Sequence, residues 1–289
     1  MKPSRSAGKG KILVVLVQRR YLGRGRCPLA SIRQISENAW HIDLGVVNAY
    51  LWRWGDHLAL IDTGMPWHGR QILQAVEEAG FQAGDIKEIL ITHADADHAG
   101  GLKYIREATQ ARVIVHAIEA MYFKGKWHRW PNLRHPLGIA YFPFFLILSQ
   151  TVFRIPRFRP DLLVVDEEVL ENGLQVIHTP GHTEGHMSLF AVNEGVLFVG
   201  DVINHRGGKL SLPPAIFTPK MEVVKDSLRK IARLKNVNVA GFGHGPVIEE
   251  GAGDKIRAFV AKVAPPRRRR RKAPPPRRAG VPRQPKAKE

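Results

Sequence analysis

Cysteine is almost absent from this chain, which has one, Cys27, in 289 residues. A single cysteine excludes an intramolecular disulfide and suits a reducing compartment. The N-terminal segment also lacks the features of a secretion signal. Its apolar stretch, residues 12–17, is short, and Arg19 and Arg20 follow where small residues belong. We therefore expect a cytoplasmic protein, with no catalytic role for Cys27.

Acidic residues are missing from both ends of the chain. Residues 1–26 contain eight Lys or Arg and no acid, and residues 264–289 contain eleven Lys or Arg and one acid, Glu289. The remaining chain has 25 basic and 25 acidic residues, so the net charge of +18 belongs to the ends. This predicts a basic extension over 1–26, one domain over 27–263 and an Arg/Pro-rich tail over 264–289.

The tail has almost nothing apolar to bury, which predicts disorder. Charge alone would allow weak contact of the basic ends with nucleic acid or anionic lipid headgroups. The alternative is a solubilising segment with no specific partner. No internal repeat is visible, and no feature of the sequence indicates an oligomeric state.

Histidine and aspartate are concentrated in one short run, residues 92–101. It places His93, Asp95, Asp97 and His98 directly after the strand-like apolar stretch 88–91. Imidazole and carboxylate together suit zinc, iron or manganese. The small residues between them allow the backbone to fold tightly enough for the ligands to converge. The run predicts a transition-metal site.

Three later segments repeat the pattern of an apolar strand that ends in polar residues. Residues 174–177 lead to His178, His182 and His186, residues 196–199 lead to Asp201, and residues 239–243 lead to His244. In open α/β architectures, sites gather at the carboxyl ends of strands. The alternation of predicted strands with helices over 67–79, 102–108, 221–234 and 254–263 also indicates an α/β protein.

These segments, together with residues 60–64, resemble the five motifs of the metallo-β-lactamase fold, in family order. The resemblance covers roughly residues 44–250. It implies a single-domain α/β protein, a four-layer αββα sandwich with a metal site along one edge. Most members are hydrolases that use one or two metals.

The resemblance also implies a role for each position. The first metal would take His93, Asp95 and His182, and the second Asp97, His98 and His244, with Asp201 bridging. Supporting groups would be Asp62, His178 and His186. The expected cofactors are two divalent ions, zinc first, with iron or manganese as alternatives. Asp95 departs from the family, which has histidine there. A carboxylate makes this site harder, which favours iron, manganese or mixed occupancy, and it could also weaken the site until only one metal binds.

Two bridged cations lower the pKa of a shared water, which makes hydroxide available near neutral pH. Asp97 would orient this hydroxide and carry its proton to the leaving group. Some of the supporting residues also have a structural interpretation. His178 and His186 could be hydrogen-bonded core residues, and Asp62 could cap a turn. The seven other histidines are left as surface or structural: His41, His57, His68, His116, His128, His135 and His205.

One uncharged apolar segment, residues 136–153, lies between the second and third ligand motifs. It is barely long enough to span a bilayer, Pro143 interrupts it, and a span there would divide the metal site. It is expected to form a helical lid beside the site that gives a hydrophobic pocket. It could also, or instead, contact a membrane surface with the help of flanking bases, which would make the protein peripheral to the membrane.

The leading functional hypothesis is a metal-dependent hydrolase of a small, hydrophobic ester, lactone or thioester. Lactonase-like chemistry suits the length best, because only about one helix fits after the last ligand. The alternatives are a nucleic-acid phosphodiesterase or nuclease of the same fold and an iron-dependent oxidoreductase. The basic ends favour the nuclease, whereas the neutral core does not.

Overall fold

The protein is described by a computed structural model over residues 30–125, 130–151 and 155–266. The predicted extension 1–26 lies outside the described residues, and so does the predicted tail beyond residue 266. Near the end of the described residues, Ala264 and Pro265 contact the helix Met221–Ile231, since both of their carbonyl oxygens accept from Arg229 Nε.

The first sheet has seven strands that neighbour one another in chain order. Its first four strands form an antiparallel meander, and the last three add in parallel. The strand β5 is buried almost throughout, as expected for an apolar strand with parallel neighbours on both sides. The strands are β1 Ser31–Ser36, β2 Ala39–Asp43, β3 Asn48–Trp54, β4 His57–Ile61, β5 Ile86–Ile91, β6 Arg112–His116 and β7 Leu162–Val164.

The second sheet has four strands, in the spatial order β13, β10, β9, β8. The pair β10 and β13 is parallel, and the other pairs are antiparallel. A separate hairpin is formed by β11 and β12 beside this sheet. The strands are β8 Leu174–His178, β9 Met187–Ala191, β10 Val196–Phe198, β11 Asn204–Arg206, β12 Lys209–Ser211 and β13 Val239–Gly241.

Helices cover the outer face of each sheet. In the first helix, Ile72, Ala75 and Val76 are buried at helical spacing while its glutamates face solvent. Two short 3₁₀ helices span Ala83–Asp85 and Ala215–Phe217. The α-helices are α1 Gly69–Glu78, α2 Ala96–Ala99, α3 Leu102–Thr109, α4 Ala120–Phe123, α5 Pro136–Thr151, α6 Met221–Ile231 and α7 Ala252–Val263.

Three apolar clusters define four layers. One lies between α1, α3 and the first sheet, and includes Ile72 and Ile105. The second lies between the two sheets, and the third between the second sheet and the pair α6 and α7, where Leu228 and Ile256 are buried. The order is helix, sheet, sheet, helix, which confirms the predicted αββα sandwich.

The predicted elements are present, with ends that differ by a few residues. The helix predicted over 67–79 spans Gly69–Glu78, and the one predicted over 221–234 ends at Ile231. The apolar segment 136–153 forms α5 through Thr151 and contacts the 3₁₀ helix Ala215–Phe217. Within the described residues, no helix is long and apolar enough to cross a membrane.

Candidate metal centre

The polar side chains predicted as ligands converge at one edge of the two sheets. His93, Asp95, Asp97 and His98 follow β5, His182 follows β8, Asp201 follows β10, and His244 follows β13. The strand ends bring these residues together even though up to about 150 residues of chain separate them.

The donor atoms form overlapping sets whose members all lie within 4.8 Å of one another. One set is His93, Asp95 and His182, in which Asp95 Oδ2 lies 3.1 Å from His182 Nε2 and 3.6 Å from His93 Nε2. Another is Asp97, His98 and His244, in which Asp97 Oδ2 lies 3.4 Å from His244 Nε2. The two triads are those implied by the family resemblance.

Asp201 lies between the two triads. Its Oδ1 is 3.4 Å from His98 Nε2, and its Oδ2 is 3.1 Å from His244 Nε2 and 4.0 Å from His182 Nε2. The carboxylate therefore reaches donors of both triads. Gly243 makes room for it, because a Cβ there would lie 1.9 Å from Asp201 Oδ1.

Asp62 fixes the orientation of His98 and Thr92. Its Oδ2 accepts from His98 Nδ1 at 2.8 Å, and its two oxygens accept from the backbone N–H and the hydroxyl of Thr92, each at 2.8 Å. Since the Thr92 hydroxyl donates to Asp62, its oxygen accepts from His93 Nδ1 at 3.0 Å. Both rings are thus held as the tautomer that turns Nε2 towards the centre.

The other two histidines of the triads are held by the same device. His182 Nδ1 donates to Thr218 Oγ1 at 3.1 Å, and His244 Nδ1 donates to the carbonyl oxygen of Val46 at 2.5 Å. All four Nε2 atoms therefore face the centre. Thr218 and Val46 were not singled out by the sequence, where neither belongs to a ligand motif.

His186 and His178 lie beside the triads and support the ligand loops. His186 Nδ1 donates to Thr179 Oγ1 at 2.8 Å, and Nε2 accepts from the Asp201 backbone N–H at 2.9 Å, so both ring nitrogens are in use. His178 Nε2 donates to the carbonyl oxygen of Glu184 at 2.9 Å, and its ring stacks on His116 at 4.1 Å.

Sequence reasoning missed Glu119, a fully buried carboxylate that connects two ligand loops. Its Oε1 accepts from the Ala94 N–H at 2.7 Å, between His93 and Asp95. Its Oε2 accepts from Thr183 Oγ1 and from the Gly185 N–H, each at 2.9 Å, in the loop after His182. A lone acid after a strand carries no motif, so only the fold shows this role.

The cluster fits divalent cations. Three buried atoms that could bind a metal ion have no hydrogen-bond partner among the described residues: His93 Nε2, His98 Nε2 and Asp201 Oδ1. Each unpaired buried polar atom costs about 1–3 kcal/mol, so three at one point indicate a ligand that completes them. A set of imidazole nitrogens and carboxylate oxygens suits zinc, iron or manganese.

The charges of the cluster are strongly coupled. Burial holds the pKa of His93 well below its ordinary value. Burial also opposes the charged forms of His98, His244 and Asp201, but the attraction between their opposite charges outweighs it. Asp201 and Asp62 raise the pKa of His98, Asp201 raises that of His244 to about 10, and His244 and His98 hold that of Asp201 well below its ordinary value. In this charge state His98 and His244 hold protons that a bound cation would displace.

A cavity of about 280 Å³ opens onto the centre. Asp95, Asp97, His182, Asp201 and His244 lie at its polar end. Its other lining residues are mostly apolar and include four aromatic side chains. Two of these, Tyr141 and Phe145, belong to α5, and Phe217 lies against Tyr141 at a ring distance of 6.1 Å. The predicted lid segment therefore lies beside the site and supplies an apolar wall.

Comparison with known proteins agrees with this architecture. The profile of the metallo-beta-lactamase superfamily matches residues 42–244, and the chain belongs to that superfamily. A metallo-beta-lactamase family protein of Thermus thermophilus is similar in structure, with a TM-score of 0.56, 28% identity and 75% of this chain and 74% of that one covered.

Two curated relatives show the range of the family. The probable metallo-hydrolase YflN of Bacillus subtilis is 29% identical over 204 residues, which are 64% of this chain and 74% of the relative. A hydroxyacylglutathione hydrolase of Cereibacter sphaeroides is 29% identical over 177 residues, 60% of this chain and 52% of that enzyme. The chain is thus a member of a metallo-hydrolase superfamily that includes thioester hydrolases.

Proposed function

We propose that the protein is a hydrolase that uses two divalent metal ions to cleave an ester, lactone or thioester of a small substrate with an apolar group. The observation that carries the proposal is the seven-residue donor cluster at the polar end of a cavity whose other lining is mostly apolar. The similarity to a hydroxyacylglutathione hydrolase supports the thioester among these substrates.

His93, Asp95 and His182 would hold one ion, and Asp97, His98 and His244 the other, with Asp201 between them. When bound, two such ions lower the pKa of a water towards neutrality and polarise the substrate carbonyl. The apolar lining would bind the apolar group of the substrate and exclude water from it.

Asp97 is proposed to accept a proton and pass it to the leaving group. Its side chain is 28% exposed, compared with 19% for Asp95 and 6% for Asp201, so it is the carboxylate of the three most open to the cavity. Asp62, by contrast, uses its oxygens on Thr92 and His98, which leaves it a positioning role.

The proposal is tested by metal content and hydrolysis together. Elemental analysis of protein purified without added metal should find two equivalents of zinc, iron or manganese per chain. An Asp95→His variant should shift the bound metal towards zinc, because imidazole is a softer donor than carboxylate. Chelation should abolish the hydrolysis of ester, lactone and thioester probes, and metal should restore it.

The control is Asp254→Asn, which removes an exposed carboxylate from α7 and should leave metal content unchanged. A single equivalent that rises to two in Asp95→His would mean that Asp95 weakens its site, and would overturn the two-metal form of the proposal. Absence of metal from both proteins, or hydrolysis that survives chelation, would overturn the proposal as a whole.

A further inference from the structure

The helix α5 is apolar around its whole circumference and is not a core helix. Its 16 residues carry no charge, and Tyr141 and Phe145 face the cavity. Leu137, Ile139 and Phe144 are 64%, 62% and 50% exposed, and Leu133 before the helix is 48% exposed. A helix that is apolar all round is ordinarily buried on every side. Among the described residues, Leu137, Ile139 and Phe144 mark a side of α5 that is left exposed.

The chain around α5 contains no acid. Residues 120–160 include seven Lys or Arg and neither Asp nor Glu. Arg134, exposed in the turn just before the helix, has no ion pair with a described residue, and the same is true of Arg159. This differs from the rest of the domain over residues 27–263, which has 18 basic and 25 acidic residues. Exposed arginines there, such as Arg33 and Arg257, have acidic partners.

We propose that the exposed face of α5 docks on an anionic lipid surface. Apolar side chains would enter the boundary between headgroups and acyl chains while the bases around them pair with lipid phosphates. A second copy of this chain fits the face poorly, because a two-fold interface would set the same uncompensated positive charges against each other. The docking face itself stands whether or not the proposed hydrolysis is correct.

The location of α5 gives this contact a consequence that does rest on the proposed function. On the side of α5 that faces the protein, Tyr141 and Phe145 line the cavity. A substrate with an acyl chain dissolved in the lipid would then meet the opening of the cavity at the membrane surface. The substrate class would be lipid-borne esters or thioesters.

The test is sedimentation of the metal-loaded full chain with phosphatidylcholine vesicles, with and without phosphatidylglycerol. The wild-type protein should be retained by the anionic vesicles. The double variant Leu137→Glu with Ile139→Glu should lower the partition coefficient by about tenfold or more, because it places charge where apolar groups enter the boundary. The matched control is Val169→Glu, which alters an equally exposed apolar residue away from α5 and should bind as the wild type does.

The basic ends of the chain are identical in all three proteins, so attraction through them alone would give equal binding. Equal retention of the double variant and Val169→Glu would therefore overturn the proposal, as would no retention of the wild type. A wild-type dimer that the double variant dissociates, seen by analytical ultracentrifugation, would identify a second copy as the occupant instead. If the double variant does not unfold cooperatively, Leu137→Gln with Ile139→Gln takes its place with the same expectation.

Discussion

Each histidine of the centre is held through the nitrogen that faces away from it. His98 donates to Asp62, His93 to Thr92, His182 to Thr218 and His244 to the backbone of Val46. These bonds select the tautomer and fix the ring plane before any metal arrives. Partners of this kind are worth about 10–100-fold in metal affinity in other sites, so they belong to the metal-binding machinery.

Glu119 gives the sharpest test of this idea at the scale of one residue. Glu119→Gln should lower zinc affinity by about 10–100-fold, because the amide keeps only one acceptor oxygen. It can accept from Ala94, or from Thr183 and Gly185, but not from both loops at once. The two ligand loops would lose their common anchor. Competition with a chromophoric chelator measures the change directly.

Glu88→Gln is the matched control for this variant. Glu88 is also a buried carboxylate, but it bonds to Arg112 and Asn172, outside the ligand loops. The control should cost stability and leave zinc affinity unchanged. If both variants lower zinc affinity equally, the effect is general destabilisation and Glu119 has no special role.

The residues whose donor atoms converge at the centre were predictable from the sequence, and the groups that support them only in part. Each ligand belongs to a short motif in which histidine or aspartate follows an apolar strand, and Asp62 belongs to a motif as well. Glu119 and Thr218 gave no such signal, because their importance comes from contacts with residues 25 to 66 positions away along the chain. Such partners are known only once the loops are packed.

At the scale of elements, the strands deliver ligands to one edge and α5 provides the opposite wall of the cavity. The strands β5, β8, β10 and β13 each end just before a ligand. The helix α5 contributes no ligand, but its Tyr141 and Phe145 line the cavity. Under the proposed function, metal binding and substrate selection would thus depend on different elements, and a change in one should leave the other intact.

This separation predicts that a change in α5 affects KM according to the length of the substrate's acyl chain. Under the proposed function, Phe145→Ala should raise KM for octanoyl esters or thioesters by about tenfold while leaving KM for acetyl compounds nearly unchanged. The reason is the loss of about 1–2 kcal/mol of apolar contact that only a long chain makes. Steady-state kinetics on the two substrate series gives the comparison.

Phe144→Ala is the neighbouring control, since Phe144 is half exposed and does not line the cavity. It should leave both KM values unaltered. An equal change for acetyl and octanoyl substrates in Phe145→Ala would contradict an acyl-binding role of α5.

Most elements were predicted from hydrophobic periodicity. The position of α5 beside the site was predicted instead from its apolar composition and its place between ligand motifs, and the side on which it packs was not predicted. In α1 and α6 the apolar residues recur at helical spacing, so the buried face could be identified from sequence. The segment that forms α5 is apolar at nearly every position and therefore has no periodicity to indicate which side packs. Its contact with the 3₁₀ helix Ala215–Phe217 joins residues about 75 positions apart and has no local signal.

For the molecule as a whole, the two sheets and their helices bury several histidines that are not ligands. His41 bonds to Asn48, His205 donates to the carbonyl oxygen of Pro246, and His68 accepts from the Met65 N–H. From the sequence these histidines were left as surface or structural residues. All three are buried, so they are structural. Buried neutral histidines make the stability of a fold sensitive to acid.

His116 is the clearest case, because it is buried and lies away from the proposed ligands. Burial lowers its pKa to about 4; the stacked His178 and Lys230 act in the same direction, and Asp166 opposes them. The ordinary value is 6.5, so below that pH the unfolded chain binds a proton that the folded protein refuses. The stability contributed by the neutral ring is complete above pH 6.5 and is lost as the pH falls towards 4.

Metal-free wild-type protein should therefore lose about 2 kcal/mol more unfolding free energy between pH 7 and pH 4.5 than His116→Asn does. Asparagine can still accept the Ile118 N–H, which now donates to His116 Nδ1, but it does not titrate in this range. Urea unfolding of both chelated proteins at each pH measures the difference, and chelation keeps metal loss out of the comparison. Parallel pH profiles for the two proteins would mean that His116 takes up its proton as readily in the folded state as in the unfolded one, and the acid sensitivity would have to arise from other groups.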